Sequence, residues 1–145
     1  MNGSNNFADV GDFHEKFGLP RSDNTIAGNI DDDTPHELTA ELYDFRNRFM
    51  QEELDEFREA WADGDLAKQA DALVDLVYVA MGTAHLMGLP WQALWDEVQR
   101  ANMSKERAAA DGSNSVRKSS FDVVKPAGWM PPDIEGILAK YGYTS

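Results

Sequence analysis

Apolar side chains return every third or fourth residue through most of this chain, the period of an amphipathic helix. Gly- and Pro-containing points divide the pattern. A short helix is expected over Asp9 to Phe17, with Phe13 and Phe17 on one face and Gly18 and Pro20 ending it. Residues 1 to 6 are polar and read as frayed, and 21 to 34 read as a loop carrying Asp31, Asp32 and Asp33. Thr34, Pro35 and Glu37 have the order of an N-cap, a first-turn proline and a capping box. They predict a long helix from Pro35 to Ala62, broken by Asp63-Gly64. A second helix is expected over Asp65 to Met87, stopped by Gly88, and a third from Pro90 to about Arg107. Residues 108 to 128 read as a long loop in which Val123-Val124 extend briefly. Pro131 and Pro132 precede a last short helix to about Tyr141. The fold class is therefore all-α: an antiparallel helical bundle completed by oligomerisation, with a loop-rich C-terminal tail, all in one domain over 1–145.

On a helical wheel of about 100° per residue, Leu38, Leu42, Phe45 and Phe49 form one stripe of the long helix. The same line then continues as Glu52, Glu53, Glu56 and Ala60, while Met50, Leu54, Phe57 and Trp61 begin a second apolar line. In the next helix Leu66, Ala70, Leu73, Val77 and Ala84 make the expected core face. Asp71, Asp75, Tyr78 and Gly82 share another, which places Asp71 nearer to Asp75 than Ala72 is and Ala72 off the inward side. Asp75 lies among Leu73, Val74, Leu76, Val77 and Val79. A lone carboxylate in such surroundings costs several kcal/mol unless a cation or a proton offsets it.

Composition narrows the chemistry. The chain has 145 residues and no cysteine, which removes disulfides, thiolate metal sites and a cysteine nucleophile. The formal charge is −13, from 13 basic and 26 acidic residues, so no nucleic-acid partner is expected. The longest apolar run, Ala72 to Leu89, is broken by Asp75, Thr83 and His85, so no membrane span is expected. The N-terminus lacks the pattern of a secretion signal, and the expected location is the cytoplasm, or a host's cytoplasm were the chain phage-encoded.

A hairpin of the two long helices would let Glu53 and Glu56 face Asp71 and Asp75. Oxygen-only ligands suit Mg²⁺, or Mn²⁺, rather than zinc. The alternative is a solvated acidic face, which is the expectation for Asp55 and Glu59. Glu52 is open between ligand, base and surface, and Tyr78 between a core tyrosine and a substrate contact. His85 is expected to be structural, and Trp91, Trp95, Trp129 and Phe121 are expected in the core or at an interface rather than on the substrate.

The segments RFMQEELDEFREAW, DALVDLVYVAMGTAHLMGLPW, EVQRANMSKE and KPAGWMPPDI, with DFHEKFG before them, resemble the all-α nucleotide pyrophosphohydrolase superfamily of MazG-like and phosphoribosyl-ATP pyrophosphohydrolase-like proteins. The resemblance implies Mg²⁺-dependent hydrolysis of a nucleoside triphosphate to the monophosphate and pyrophosphate. It implies metal ligands at Glu52, Glu53, Glu56 and Asp75, with Ala72 in place of the second block's Glu and Asp71 as its substitute. Glu52, Glu53 and Lys105 would take the catalytic roles. Asn102, Lys105, Tyr78, Phe13, His14, Phe17 and Lys125 would bind the substrate. The terminal extensions look more like the MazG-like nucleotide cleaners than the phosphoribosyl-ATP enzymes, and some phage relatives act on dGTP. A homodimer or homotetramer is implied as well. The contrasting expectation is a non-catalytic helical scaffold or regulator, for which Ala72 speaks.

Overall fold

The computed structural model describes residues 5–22 and 38–143. Helices dominate: α1 (Asn6–Lys16), α2 (Ala40–Ala62), α3 (Leu66–Leu86), α4 (Trp91–Met103) and α5 (Ile134–Lys140). A two-stranded antiparallel sheet pairs β1 (Glu106–Arg107) with β2 (Val123–Val124). The fold is thus all-α, as the apolar periodicity implies. The chain divides into two compact units that meet in sequence between Trp91 and Gln92.

In the first unit, α1 and α2 both pack on α3. Each helix begins on a capping side chain: Asn5 accepts from Phe7 N–H, Thr39 from Leu42 N–H and Asp65 from Lys68 N–H. Thr39 sets the start of α2 at Ala40, five residues later than the expected Pro35. The Thr34, Pro35 and Glu37 capping box lies outside the described residues, as do Asp31, Asp32 and Asp33. Gly64 and Gly88 end α2 and α3 with φ of 67° and 63°, left-handed values that a side chain disfavours. The α2–α3 link is therefore as short as the sequence requires, and the two helices form a hairpin.

The buried positions correct the helical wheel. On α2 they are Arg46, Glu53 and Ala60, seven residues apart. On α3 they include Ala72, Val79 and Leu86, again seven apart. This 3.5-residue seam drifts from a 3.6-residue wheel, so faces assigned by the wheel slip over several turns. Phe45, expected in the core, is 52% exposed, and its neighbour Arg46 is buried instead. Leu66, Leu73 and Val77, also expected in the core, are exposed, and Ala72 is inward at 2% exposure. The apolar core centres on Phe7 and Val10 of α1 against Met81 and Ala84 of α3, with Tyr78, Leu89 and Trp91 around them.

In the second unit, α4 stops at Met103, and the residues expected to prolong it, Glu106 and Arg107, form β1. The brief extension at Val123-Val124 is β2. Glu97 fastens α4 to the start of α5, accepting from Arg100 at 2.8 Å and from Asp133 N–H at 3.0 Å. Those hydrogen bonds hold its carboxyl down at about 2. Buried Ser115 donates to Asp122 at 2.6 Å and closes the loop before β2.

Candidate active site between three helices

Glu53 is the one carboxylate on the buried seam of α2. Its Oε2 is enclosed and has no hydrogen-bond partner among the described residues. Burial first, then the negative charges of Glu56 and Asp75, a hydrogen bond with Glu56 and the charge of Asp71, together raise its pKa from 4.5 to about 6. Four acids from two helices therefore share one electrostatic neighbourhood. Their sequence positions explain it: Glu53 and Glu56 are one turn apart on α2, and Asp71 and Asp75 are one turn apart on the antiparallel α3.

A pocket of about 210 Å³ opens beside Glu53 and Asp75. Tyr78, Val79 and Gly82 of α3 form one wall and Arg46 and Phe49 of α2 another, with Phe13, His14 and Leu19 closing it. Phe13 meets Tyr78 edge-on, with ring centroids 5.5 Å apart. Burial, then the charge of Asp9, raises the Tyr78 pKa.

His14 and His85 form a tightly bonded layer behind this pocket. His14 Nδ1–H donates to the Pro20 carbonyl at 2.7 Å. A carbonyl can only accept, so in the neutral ring Nε2 carries the lone pair. Burial lowers its pKa, with the Arg46 charge adding to the effect. His85 Nε2–H donates to Phe7 O at 2.7 Å, and its Nδ1 accepts from Ser22 N–H at 2.9 Å. Its ring stacks on Phe7 at 3.7 Å between centroids. Both ring nitrogens of the neutral form are used, and burial lowers this pKa as well.

The expected site residues separate into groups. Glu53, Asp75, Tyr78, Phe13 and His14 line the pocket together. Glu56 and Asp71 are exposed but act on Glu53 through their charge. Glu52 is exposed on α2 and does not line the pocket. Phe17 is exposed and packs on Phe13 at 4.7 Å rather than on the pocket. Asn102, Lys105 and Lys125 belong to the second unit. There Asn102 O accepts from Lys105 N–H at 3.1 Å, turning the chain out of α4. The Lys105 and Lys125 ammonium groups lie 5.4 and 4.9 Å from the Trp129 ring centroid. Phe49 and Gly82, which the wheel sets on the same faces as the acids, line the pocket as well, and Arg46 is the pocket residue that the wheel missed. The seven-residue spacing Arg46–Glu53–Ala60 is the signal that identifies Arg46.

The donors are all carboxylate oxygens, the chemistry of a hard divalent cation, and the unsatisfied Oε2 of Glu53 is the kind of atom such a cation completes. Among the described residues no three His, Asp or Glu side chains converge into a ready-made ligand set. Ala72 contributes to that shortfall, because it occupies an inward position with no donor. No helix among the described residues is long and apolar enough to cross a membrane.

A comparison with curated proteins found no match. The family model for phosphoribosyl-ATP pyrophosphohydrolase matches residues 10–102, more than half of the chain and all of α2 and α3. That family lies within the MazG-like all-α nucleotide pyrophosphohydrolases, it is typically dependent on a divalent metal, and membership implies a pyrophosphohydrolase. With that model over more than half of its length and an all-α helix order, this chain belongs to the phosphoribosyl-ATP pyrophosphohydrolase family.

Proposed function

We propose that this protein hydrolyses a nucleoside or deoxynucleoside triphosphate to the monophosphate and pyrophosphate with the help of Mg²⁺. The observation that carries the proposal is the buried, unpartnered Oε2 of Glu53, set among Glu56, Asp71 and Asp75 at the wall of an aromatic pocket. Glu53, Glu56 and Asp75 would hold the cation, with Asp71 beside them. When bound, Mg²⁺, or Mn²⁺ in its place, would offset the crowded charge, polarise the phosphates and acidify water. Glu52, exposed on α2 beside Glu53 in sequence, or a neighbouring carboxylate would take the proton of the attacking water. Phe13, Phe49 and Tyr78 provide flat apolar walls against which a base can stack, and they exclude water from it. Asn102, Lys105 and Lys125 stay substrate-binding candidates on the chemistry of the resemblance alone.

We further propose a homodimer or homotetramer. Trp61 is 71% exposed and Leu66 77%, and Leu54, Leu73, Val74 and Val77 are exposed near them on α2 and α3. A monomer rarely leaves so many large apolar groups in water. A groove of about 600 Å³ between α1 and α3 is lined by Leu73, Val74 and Val77, with Asp9 as its one acid, so it suits a packing partner better than a hydrolytic site. Light scattering at micromolar concentration is expected to give at least twice the monomer mass.

The scaffold reading draws on the buried Ala72. One experiment separates the two: pyrophosphate release from a panel of dNTPs, NTPs and phosphoribosyl-ATP, with and without Mg²⁺. Release that needs Mg²⁺ and disappears in Glu53→Gln is expected. No release from any member of the panel would leave the scaffold.

A further inference from the structure

The pocket has two chemically different ends. Because α2 and α3 are antiparallel, Asp75 lies across from Glu53, while Val79 and Gly82 lie across from Arg46. Phe49 and Tyr78 come between. Arg46 and Glu53 are seven residues apart, about 10 Å along the helix. A ligand with its phosphates at the acid end would therefore carry its base over the rings toward Arg46.

Arg46 is only 8% exposed and forms no ion pair among the described residues. Its Nε–H donates to Thr83 Oγ1 at 3.0 Å and its Nη2 to Val79 O at 2.7 Å. These bonds use the lateral edge of the guanidinium to hold α3. The Nη1 donors, and the second hydrogen of Nη2, have no acceptor among the described residues. The guanidinium lies 5.6 Å from the centroid of the Phe49 ring, and Arg46 lines the pocket, so the donors that α3 does not use are open to a ligand there. Gly82 makes the arrangement possible: a Cβ there would stand 2.6 Å from Arg46 Nη2 and 3.0 Å from His14 Nε2. That places the His14 lone pair next to the guanidinium donors.

We propose that Arg46 and His14 read the edge of the bound nucleobase, and that they select a base presenting two neighbouring acceptors followed by a donor. The terminal donors of Arg46 take the two acceptors, and neutral His14 Nε2 takes the donor hydrogen. Guanine has this order along N7, O6 and N1–H, and cytosine along O2, N3 and the N4 amino group. Adenine alternates acceptor and donor between N7, N6 and N1, and in thymine and uracil N3–H separates the two oxygens. The inference rests on the nucleotide-hydrolase reading for its class of ligand, and it names Arg46 and His14 as the specificity-determining pair.

Calorimetric titration of the full chain with dGMP, dCMP, dAMP and dTMP, with and without Mg²⁺, tests this apart from turnover. At least one of dGMP and dCMP is expected to bind tenfold or more tighter than dAMP and dTMP, the scale of one bidentate contact. The comparison of dGMP with dCMP identifies which base carries the edge. For the preferred base, 7-deaza-dGMP or 3-deaza-dCMP, lacking one acceptor, is expected to lose about tenfold on the unaltered protein. Arg46→Lys keeps the charge without the fork and is expected to erase the preference. Gly82→Ala, which displaces the fork, should do the same, and it decides the matter together with the deaza analogues if Arg46→Lys does not fold. Equal or tighter binding of dAMP or dTMP overturns the proposal, as does indifference to the deaza change or no binding by all four. A uniform loss for every base in Arg46→Lys, with inorganic phosphate competing, also overturns it by making Arg46 a phosphate ligand. Base preference without pyrophosphate release would instead sink the hydrolase reading and leave the base reading standing.

Discussion

The acid end and the histidine layer of the first unit share α3, where Asp75 and His85 stand ten residues apart, and obey opposite rules. Around His85 every polar atom is used: both ring nitrogens bond the backbone, Ser22 Oγ donates to Leu89 O at 2.6 Å, and the ring stacks on Phe7. Around Glu53 the carboxylates are crowded, its Oε2 has no partner among the described residues, and like charges surround the carboxyl. A satisfied buried network favours one rigid arrangement, whereas a frustrated one costs stability and waits for a ligand. The contrast teaches that α1, which gives Phe7 to the satisfied layer and Phe13 and His14 to the pocket wall, fixes the pocket's shape while the acids of α2 and α3 supply its charge.

The sharpest way to break this contrast is Glu53→Gln. Turnover should fall by on the order of 10³-fold or more, the scale of losing a group that acts on the reacting atoms. Without divalent ion the variant should melt at the same temperature or higher, because a crowded charge is gone. A lower melting temperature would make Glu53 a structural residue. His85→Ala should do the reverse. It leaves Phe7 O and Ser22 N–H without their partner and opens a cavity beside Phe7, at a cost of about 3–5 kcal/mol read from urea unfolding.

Metal addition sharpens the comparison further. Saturating Mg²⁺ at a hundred times its Kd should stabilise the wild type by about 3 kcal/mol in a thermal melt and leave Glu53→Gln largely unmoved. Equal shifts in both would place the ion elsewhere.

Acid separates the two regions by sign. The pKa values of His14 and His85 are lowered on folding, so below their ordinary value near 6.5 the unfolded chain binds the extra protons. Their contribution is present above that value and is lost as the pH falls through and below it. Glu53 is raised from 4.5 to about 6, so between those values the folded chain binds the extra proton, and this group stabilises as the pH falls. In chelator, from pH 7 to pH 5, Glu53→Gln should therefore lose more melting temperature than the wild type, by a few degrees for on the order of 1–2 kcal/mol. Equal slopes would remove Glu53 from the buried charge balance.

Much of this was legible in the sequence. The breaks at Gly64 and Gly88 and the helical periodicity place α1, α3 and the hairpin within a few residues, although Asn5, read as part of a frayed end, caps α1. The ordered carboxylates at 53, 56, 71 and 75 point to oxygen-ligand chemistry, and the family model spans them. These features are local: caps, turn glycines and i to i+4 spacing act over one or two turns and need no knowledge of what lies across the core.

Tertiary structure decided the rest. Whether Phe45 or Arg46 turns inward, and whether Ala72 or Asp71 does, is a difference of one residue on the helix surface. A 3.6-residue wheel and a 3.5-residue seam diverge by about 20° per heptad, so only the partner helix fixes the face. The partners of His14, His85 and Arg46 are 6 to 78 residues away in the chain, at Pro20, Phe7 and Val79. Sequence determined which groups this protein has for hydrolysing a phosphate; the packing of α1 and α2 on α3 determined which are buried. Burial is what raises one carboxyl and keeps two imidazoles neutral, because removing water makes each charged form costly.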